Sequence, residues 1–172
     1  MNKAIIISGN LAQDHEFIYP YYRLLEAEFQ VDVCLLEGKP VKGILGTTLP
    51  PNKDQAIKTI DQLNIDDYKI LILPGGVKAM EKVRQEKKII NFISKFNDQK
   101  KIIGCICSGA QLLISARVVK GRKIAGYYSM EDDLANAGAI YTDKPAVVDE
   151  NIITTAHYKD MGPWMKEILK KF

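Results

Sequence analysis

Short runs of β-branched and aliphatic residues alternate with longer segments of helical periodicity along the whole chain, and this alternation limits the possible folds most strongly. Ile5, Ile6 and Ile7 form a continuous apolar run, which is typical of a strand buried on both faces. The pattern predicts four such strands at Lys3–Ser8, Val31–Leu36, Lys69–Leu73 and Lys101–Ile106. Strands alternating with helices predict a parallel sheet that is covered by helices on both faces.

The segments between the strands predict the remaining elements. Helices are expected over Asp14–Phe29, Lys53–Leu63, Met80–Phe96, from Cys107 through about Val118, over Asp132–Asn136, and around Trp164 to Phe172. A loop with a small hairpin is expected at Gly38–Pro51, a short strand at Lys123–Ala125, and a second hairpin from Ala146–Val148 and Ile152–Thr155. The predicted fold is therefore an α/β three-layer sandwich with a doubly wound, mostly parallel sheet.

Size and charge restrict the class of protein further. A chain of 172 residues with 47% hydrophobic content is expected to form a single domain over residues 1–172. A net charge of +3 gives no support for nucleic-acid binding, and no apolar run is long enough to span a membrane. Without a signal-peptide core, the protein is expected to be cytoplasmic. Three cysteines do not suit a disulfide framework, which leaves the thiols free for chemistry or packing.

Polar and glycine-containing groups follow the predicted strands at the points where the strands end. In doubly wound sheets, ligands bind outside the carboxyl ends of the strands. We therefore expect the groups after these strands to meet in one cleft. They are Gly9-Asn10, Pro74-Gly75-Gly76, Cys107-Ser108-Gly109 and Ala156-His157-Tyr158.

Cys107 lies where a predicted strand passes directly into a predicted helix. This arrangement resembles a nucleophile elbow, in which a sharp turn exposes a reactive side chain, although Cys105 replaces the first glycine of that motif. A helix N-terminus also favours a thiolate. Cys34 and Cys105 fall inside strands and are expected to be small core residues. The sequence therefore predicts Cys107 as the reactive thiol.

Two other features are candidates for the same site. The N–H groups of Pro74-Gly75-Gly76 could form an oxyanion hole, but the same residues could simply make a tight turn at a strand end. His15 and His157 are the only histidines, and both are expected near strand ends on the Cys107 side. A lone histidine is more often structural than catalytic, so His157 is the stronger candidate only because it follows a strand directly.

The segment around Cys107 resembles the nucleophile segment of the ThiJ/PfpI superfamily, in its intracellular protease I branch. The matching segments cover essentially the whole chain: Glu16-Phe-Ile-Tyr-Pro-Tyr-Tyr-Arg-Leu24, Leu73-Pro-Gly-Gly76, Cys105-Ile-Cys-Ser-Gly-Ala-Gln-Leu-Leu-Ile-Ser-Ala116, Gly121-Arg-Lys123, Tyr127, Asp132-Asp-Leu-Ala-Asn-Ala-Gly138, Val147-Val-Asp149 and Trp164-Met165. The resemblance implies a flavodoxin-like core, self-association as a homodimer, trimer or hexamer, and no cofactor or metal.

The resemblance also assigns roles to individual residues. It implies that Cys107 is the reactive cysteine, and that Gly75, Gly76 and Ser108 provide the oxyanion hole. Asn10 and Tyr127 are expected to bind substrate.

Three positions depart from the family pattern. Gln13 aligns with the acidic residue after the first strand, Ser108 with the histidine after the nucleophile, and Ala156 with a late arginine. An amide can donate a hydrogen bond but cannot act as an acid or base. Gln13 and Ser108 are therefore predicted to give an atypical catalytic site, in which His157 replaces the missing imidazole.

Three functions remain open on this basis. The first is a cysteine-dependent enzyme that acts on small dicarbonyls, their protein adducts or peptides. The second is a redox sensor or chaperone-like stress protein in which Cys107 is only oxidised. The third is a class I glutamine amidotransferase, since Cys107-Ser-Gly-Ala-Gln111 fits its C-x-G-x-Q motif, although His157-Tyr-Lys159 breaks the His-x-Glu dyad that this family needs.

Overall fold

A seven-stranded sheet forms the centre of the protein in a computed structural model that describes residues 2–172. In chain order the strands are β1 Lys3–Ser8, β2 Gln30–Leu35, β3 Val41–Lys42, β4 Thr48–Leu49, β5 Ile57–Lys58, β6 Tyr68–Leu73, β7 Ile102–Ile106, β8 Lys123–Ile124, β9 Ile140–Tyr141, β10 Val147–Asp149 and β11 Ile152–Thr155. The order across the sheet is β10-β11-β7-β6-β1-β2-β5. Within this seven-stranded sheet, all neighbouring strands are parallel except β10 and β11, which are antiparallel.

The helices are α1 Asp14–Glu26, α2 Val77–Val83, α3 Lys87–Asp98, α4 Ala110–Ser115, α5 Glu131–Asn136 and α6 Met161–Leu169. Helix α1 packs against α6, whereas α2 and α3 pack against α4, and both groups contact the sheet. The central strand β1 is buried from Ala4 to Ser8 because helices cover both of its faces. The predicted α/β sandwich of the flavodoxin-like class is thus confirmed. Within residues 2–172, no helix has the length and apolar character needed to cross a membrane.

Several predicted elements differ from the structure. The helix expected over Lys53–Leu63 is wrong: the segment forms edge strand β5 and a 3₁₀ turn at Ile60–Gln62. The single helix expected over Met80–Phe96 is two helices in the structure. Helix α2 ends at Val83, and Glu86 caps the start of α3 by accepting a hydrogen bond from Lys88 N. Both predicted hairpins are present, as β3–β4 and β10–β11.

The strand order places the site. Strands β11, β7, β6 and β1 are consecutive neighbours and run parallel, so their carboxyl ends lie at one edge of the sheet. The chain leaves this edge into the segments that begin at residues 9, 74, 107 and 156. Groups that are far apart in the sequence are thereby brought to one side of the molecule.

Candidate active site

Cys107 occupies a strained turn between β7 and α4. Its φ is 58°, in the left-handed region that non-glycine residues rarely adopt. Gly109 makes the turn possible, because a Cβ at that position would lie 2.6 Å from the carbonyl oxygen of Leu73. The backbone N–H of Tyr127 donates to the carbonyl oxygen of Cys107 over 3.2 Å and helps to hold the turn. The predicted elbow is present, and strain of this kind is concentrated at functional sites.

A buried carboxyl group lies directly against the Cys107 thiol. Glu16, in the first turn of α1, is 1% exposed, and its Oε2 accepts a hydrogen bond from Gly75 N over 2.7 Å. The Cys107 thiol lies beside the same carboxyl group, and each group shifts the pKa of the other. A Cβ on Gly75 would lie 2.2 Å from Oε2 of Glu16 and 2.7 Å from Cβ of Cys107. Only glycine at position 75 allows the three groups to meet.

Burial dominates the protonation of this pair. Burial raises the pKa of Glu16 to about 7, although the hydrogen bond from Gly75 and the neighbouring Cys107 thiol act in the opposite direction. Burial, together with the negative charge of Glu16, raises the pKa of Cys107 to about 12. Within residues 2–172, no cationic side chain forms an ion pair with Glu16. Glu16 can therefore change its protonation state near neutral pH.

Gln13 does not occupy the position of the acid, which corrects the alignment made from the sequence. Its side-chain Oε1 accepts a hydrogen bond from Glu16 N over 3.0 Å and so caps the N-terminus of α1. Gln13 lines the same cavity as Cys107, but Glu16 is the acidic group that reaches the sulfur. The sequence did contain a signal for Glu16. Its position, one residue before buried Phe17 and four before buried Pro20, places a carboxylate on the apolar side of α1.

The three expected oxyanion donors differ in what they contact. The N–H of Gly75 is engaged by Glu16, which contradicts its expected role in this state of the molecule. The hydroxyl oxygen of Ser108 lies 3.7 Å from the sulfur of Cys107, within hydrogen-bond distance for sulfur. Gly76 has a φ of 102°, lines the cavity, and its N–H donates to no backbone group in the part of the chain that the structure describes. Gly76 therefore presents an unoccupied N–H to the cavity.

His157 lies in the cavity wall, within a cluster of aromatic rings. Its ring centroid is 4.0 Å from that of Tyr158 and 6.4 Å from that of Tyr127. The ring of His15 also lies near Tyr158, with a centroid distance of 5.4 Å. The Nδ1 atom of His157 accepts a hydrogen bond from Lys159 N, and His157 forms no hydrogen bond to Cys107. The structure therefore places His157 and Tyr127 at the cavity without linking His157 to the sulfur.

Asn10 lies outside this cavity, contrary to its predicted role in substrate binding there. Its Oδ1 accepts a hydrogen bond from Lys42 N over 3.2 Å, and its own N–H donates to Oε1 of Glu37. These contacts connect the end of β1 to hairpin β3–β4 and place Asn10 beside a separate surface depression. Asn10 failed as a site residue because the loop after β1 turns toward the hairpin before it reaches the cleft.

The cavity in front of Cys107 has a volume of about 770 Å³ and carries several polar groups besides the Cys107–Glu16 pair. Glu81 and Asp133 contribute carboxylates, and Arg84 contributes a guanidinium group. Across residues 2–172, no cluster of three or more His, Cys, Asp or Glu side chains is arranged to hold a metal ion. The volume suits a small organic molecule.

The other two cysteines are structural. Cys34 and Cys105 are buried at 1% and 0% exposure, as their strand positions predicted. Burial raises the pKa of Cys34 to about 12 and raises that of Cys105 well above its ordinary value. Cys107 alone lines the cavity.

Comparison with known proteins agrees with this geometry. The model of the DJ-1/PfpI family matches residues 2–171. Deglycase PfpI from Pyrococcus furiosus is 37% identical over 168 residues, which cover 98% of each chain. General stress protein 18 from Bacillus subtilis is 35% identical over 162 residues, covering 94% of this chain and 91% of the relative.

Among solved structures, a two-domain protein from Anabaena variabilis contains a DJ-1/ThiJ/PfpI-like domain and a ferritin-like domain. It superposes with a TM-score of 0.92 at 29% identity, and the match covers 99% of this chain and 48% of that one. The present chain thus spans about half of that protein. The family match over nearly the full length, the relatives above 30% identity and the elbow at Cys107 lead to one conclusion: the chain belongs to the DJ-1/PfpI family.

Proposed function

We propose that this ThiJ/PfpI-type enzyme uses Cys107 as a nucleophile toward small 2-oxoaldehydes and their adducts, with Glu16 as the proton carrier. One observation carries the proposal. The Glu16 carboxyl is buried, has no cationic partner among the described residues and lies beside the thiol, and its pKa is raised to about 7. A group of this kind can accept a proton and return it at neutral pH. The name of Deglycase PfpI is consistent with carbonyl adducts as substrates.

The first step is addition of the sulfur to the aldehyde carbon. The sulfur–carbon bond forms as the carbon–oxygen π bond breaks, and the thiol proton passes to Glu16. Glu16 then returns a proton to the new oxyanion, which gives a neutral hemithioacetal. Because the free thiol has a pKa raised to about 12, the proton must leave as the sulfur attacks, and Glu16 is the group within reach.

Turnover requires no external oxidant. Glu16, again a carboxylate, carries the hydrogen of the former aldehyde carbon as a proton to the neighbouring ketone carbon through an enediol, while the hydroxyl proton of the hemithioacetal moves to the ketone oxygen. The aldehyde carbon is thereby oxidised to a thioester and the ketone carbon is reduced to an alcohol, so atoms and electrons balance within the substrate. One water molecule then hydrolyses the thioester and releases a 2-hydroxy acid and the Cys107 thiol. The N–H of Gly76 is the available donor for the oxyanion, and Ser108 orients the sulfur.

Peptide hydrolysis has less support in this site. It needs a general acid for the leaving amine, usually a histidine paired with the cysteine. Here Ser108 follows the nucleophile, and His157 bonds to Lys159 N instead of to the sulfur. The same contact of His157 leaves the amidotransferase alternative without its dyad.

A purely redox-sensing role also has less support, because sensor thiols combine exposure with a low pKa. Burial and Glu16 give Cys107 a high one.

The test is turnover of methylglyoxal to lactate by the wild-type protein, Cys107→Ser and Cys34→Ser. We expect wild type and Cys34→Ser to have equal kcat/KM, and Cys107→Ser to lose activity by at least about 10³-fold, since covalent catalysis is removed. Equal activity in Cys107→Ser would contradict the proposal. A wild-type protein that is inactive on methylglyoxal and its adducts would also contradict it and would favour the sensor.

A further inference from the structure

We propose that Arg84 binds a carboxylate of the substrate, so that this enzyme prefers 2-oxoaldehydes that carry a carboxylate several bonds from the aldehyde. This inference rests on the proposed function for its substrate class. Arg84 lies at the C-terminal end of α2 and lines the cavity that contains Cys107.

The guanidinium group of Arg84 is held in place by two neutral side chains of α4. Its Nε donates to Oγ of Ser115 over 2.9 Å, and its Nη1 donates to Oε1 of Gln111 over 3.3 Å. A guanidinium has five N–H donors, so three remain available after these contacts. No carboxylate in residues 2–172 forms an ion pair with Arg84. The group is therefore fixed in position and still able to bind an anion.

A purely structural role for Arg84 would not explain why two side chains hold its guanidinium group in one orientation. A cation near a helix C-terminus stabilises the helix dipole, but an exposed lysine would do so equally well. Gln111 is 8% exposed, and its buried amide oxygen accepts the hydrogen bond that orients the guanidinium group of Arg84 in the cavity. A rigid planar fork with free donors matches the geometry of a carboxylate, which it can bind through two parallel hydrogen bonds.

The charges around the cavity favour a singly charged anion. Glu16, Glu81 and Asp133 all line the same cavity. Their repulsion penalises a dianionic phosphate more strongly than a carboxylate, while Arg84 compensates one negative charge. A monocarboxylate is therefore the anion that this arrangement accepts.

The spacing between Cys107 and Gln111, which holds the guanidinium group of Arg84, sets the length of the substrate. Gln111 follows Cys107 by four residues, through a 3₁₀ turn at Cys107–Gly109 and the start of α4, which corresponds to roughly 6–8 Å at about 1.5–2 Å per residue. A substrate that reaches both the sulfur and Arg84 needs its carboxylate several bonds from the aldehyde carbon. Glyoxylate is too short, whereas 4,5-dioxopentanoate spans this distance. Its product would be 2-hydroxypentanedioate, formed by the same internal oxidation and reduction with one water.

The test compares 4,5-dioxopentanoate with its methyl ester, which lacks the distal negative charge and carries one additional methyl group. In wild type we expect kcat/KM for the acid to exceed that for the ester by roughly tenfold or more, as charge-assisted hydrogen bonds allow. Arg84→Met should lower kcat/KM for the acid much more than for the ester and so remove this preference, and Arg84→Lys should keep part of it. Lys82→Met is the matched control, because it removes a charge from the exposed face of the same helix. Equal loss for acid and ester in Arg84→Met would overturn the inference.

A second measurement does not depend on turnover. The Cys107 thiol is labelled with 3-maleimidopropanoate or with its methyl ester, and the rate ratio is divided by the ratio for free cysteine. We expect faster labelling by the acid in wild type and Lys82→Met, and no preference in Arg84→Met. A preference that is absent in wild type, or that persists in Arg84→Met, contradicts the anion site. If the preference is present but no oxoaldehyde is turned over, the anion site stands and the proposed function fails.

Discussion

Two buried carboxylates at the central sheet have opposite surroundings, and the contrast separates structure from function. Asp32, on β2, is 6% exposed, and its Oδ2 contacts Nζ of Lys58 at 2.7 Å and the hydroxyl of Tyr68 at 2.8 Å. Glu16 is 1% exposed and contacts a backbone N–H and a thiol, with no cation among the described residues. The charge of Asp32 is compensated where it lies, whereas that of Glu16 is not.

The difference shows what an uncompensated buried acid can do. A charge without a partner in an apolar site is costly, so the group shifts its pKa and becomes neutral more easily. Glu16 follows this rule, with a pKa raised to about 7. The Asp32 cluster fastens edge strand β5 to the sheet, since Lys58 belongs to β5. The contrast supports a role in stability for Asp32 and the proposed role in proton transfer for Glu16.

Glu16→Gln is expected to have the largest effect of the changes that test this contrast. The amide keeps the shape and can still accept from Gly75 N, but it cannot carry a proton. We expect kcat/KM for methylglyoxal to fall by roughly 10²–10⁴-fold, as is typical for the loss of a general acid or base. Asp32→Asn, measured in parallel, should keep wild-type activity. Comparable losses in the two variants would remove the distinction between the carboxylates.

The stability of the protein should carry the signature of Glu16. Its pKa rises from 4.5 in the unfolded chain to about 7 in the fold, so in this window the folded state holds a proton that the unfolded state has lost. Stability therefore decreases as pH rises through the window, by about 3 kcal/mol for this group, and levels off above it. The free energy of unfolding, measured with urea as a function of pH, should show this decline in wild type and lack it in Glu16→Gln. Parallel stability curves for the two proteins would show that Glu16 titrates normally.

Asp32→Asn should lower the free energy of unfolding by about 1–3 kcal/mol. This is less than the loss of a fully buried ion pair would cost, because the side chain of Lys58 is 30% exposed. The change leaves a lysine and a buried tyrosine hydroxyl without their charged acceptor. Urea unfolding at neutral pH measures the loss, and Asp61→Asn, which breaks the exposed pair with Lys88, is the control with an expected change near zero. A stability of Asp32→Asn equal to wild type would mean that the cluster does not hold β5.

The sequence predicted the sheet well and its edge poorly, for a physical reason. Continuous apolar runs mark strands that are buried on both faces, as in β1 and β6. Edge strand β5 has only two residues, and Ile57, Ile60 and Leu63 are spaced by three, which imitates one face of a helix. The break between α2 and α3 contains no glycine or proline, so nothing in the sequence marked it.

In the candidate site too, features formed by adjacent residues were predictable, and contacts between distant residues were not. The elbow at Cys107 was predictable because strand, cysteine and small residues are adjacent in the sequence. Glu16 was missed because its partners, Gly75 and Cys107, lie 59 and 91 residues away and meet it only through the order of the strands. Arg84 was missed for the same reason, since its contacts to Gln111 and Ser115 join two separate helices.

The pH dependence of Cys107 alkylation by iodoacetamide tests most directly whether Glu16 is the proton acceptor of the thiol. In wild type we expect the rate to rise in a step centred near pH 7, where Glu16 loses its proton. Gln13→Glu and His157→Ala should keep this step, because Gln13 caps α1 and His157 bonds to Lys159 N. Glu16→Gln should abolish it, so that the rate follows the ionisation of the thiol alone. A step that persists in Glu16→Gln, or that disappears in His157→Ala, would contradict the account and identify a different proton acceptor.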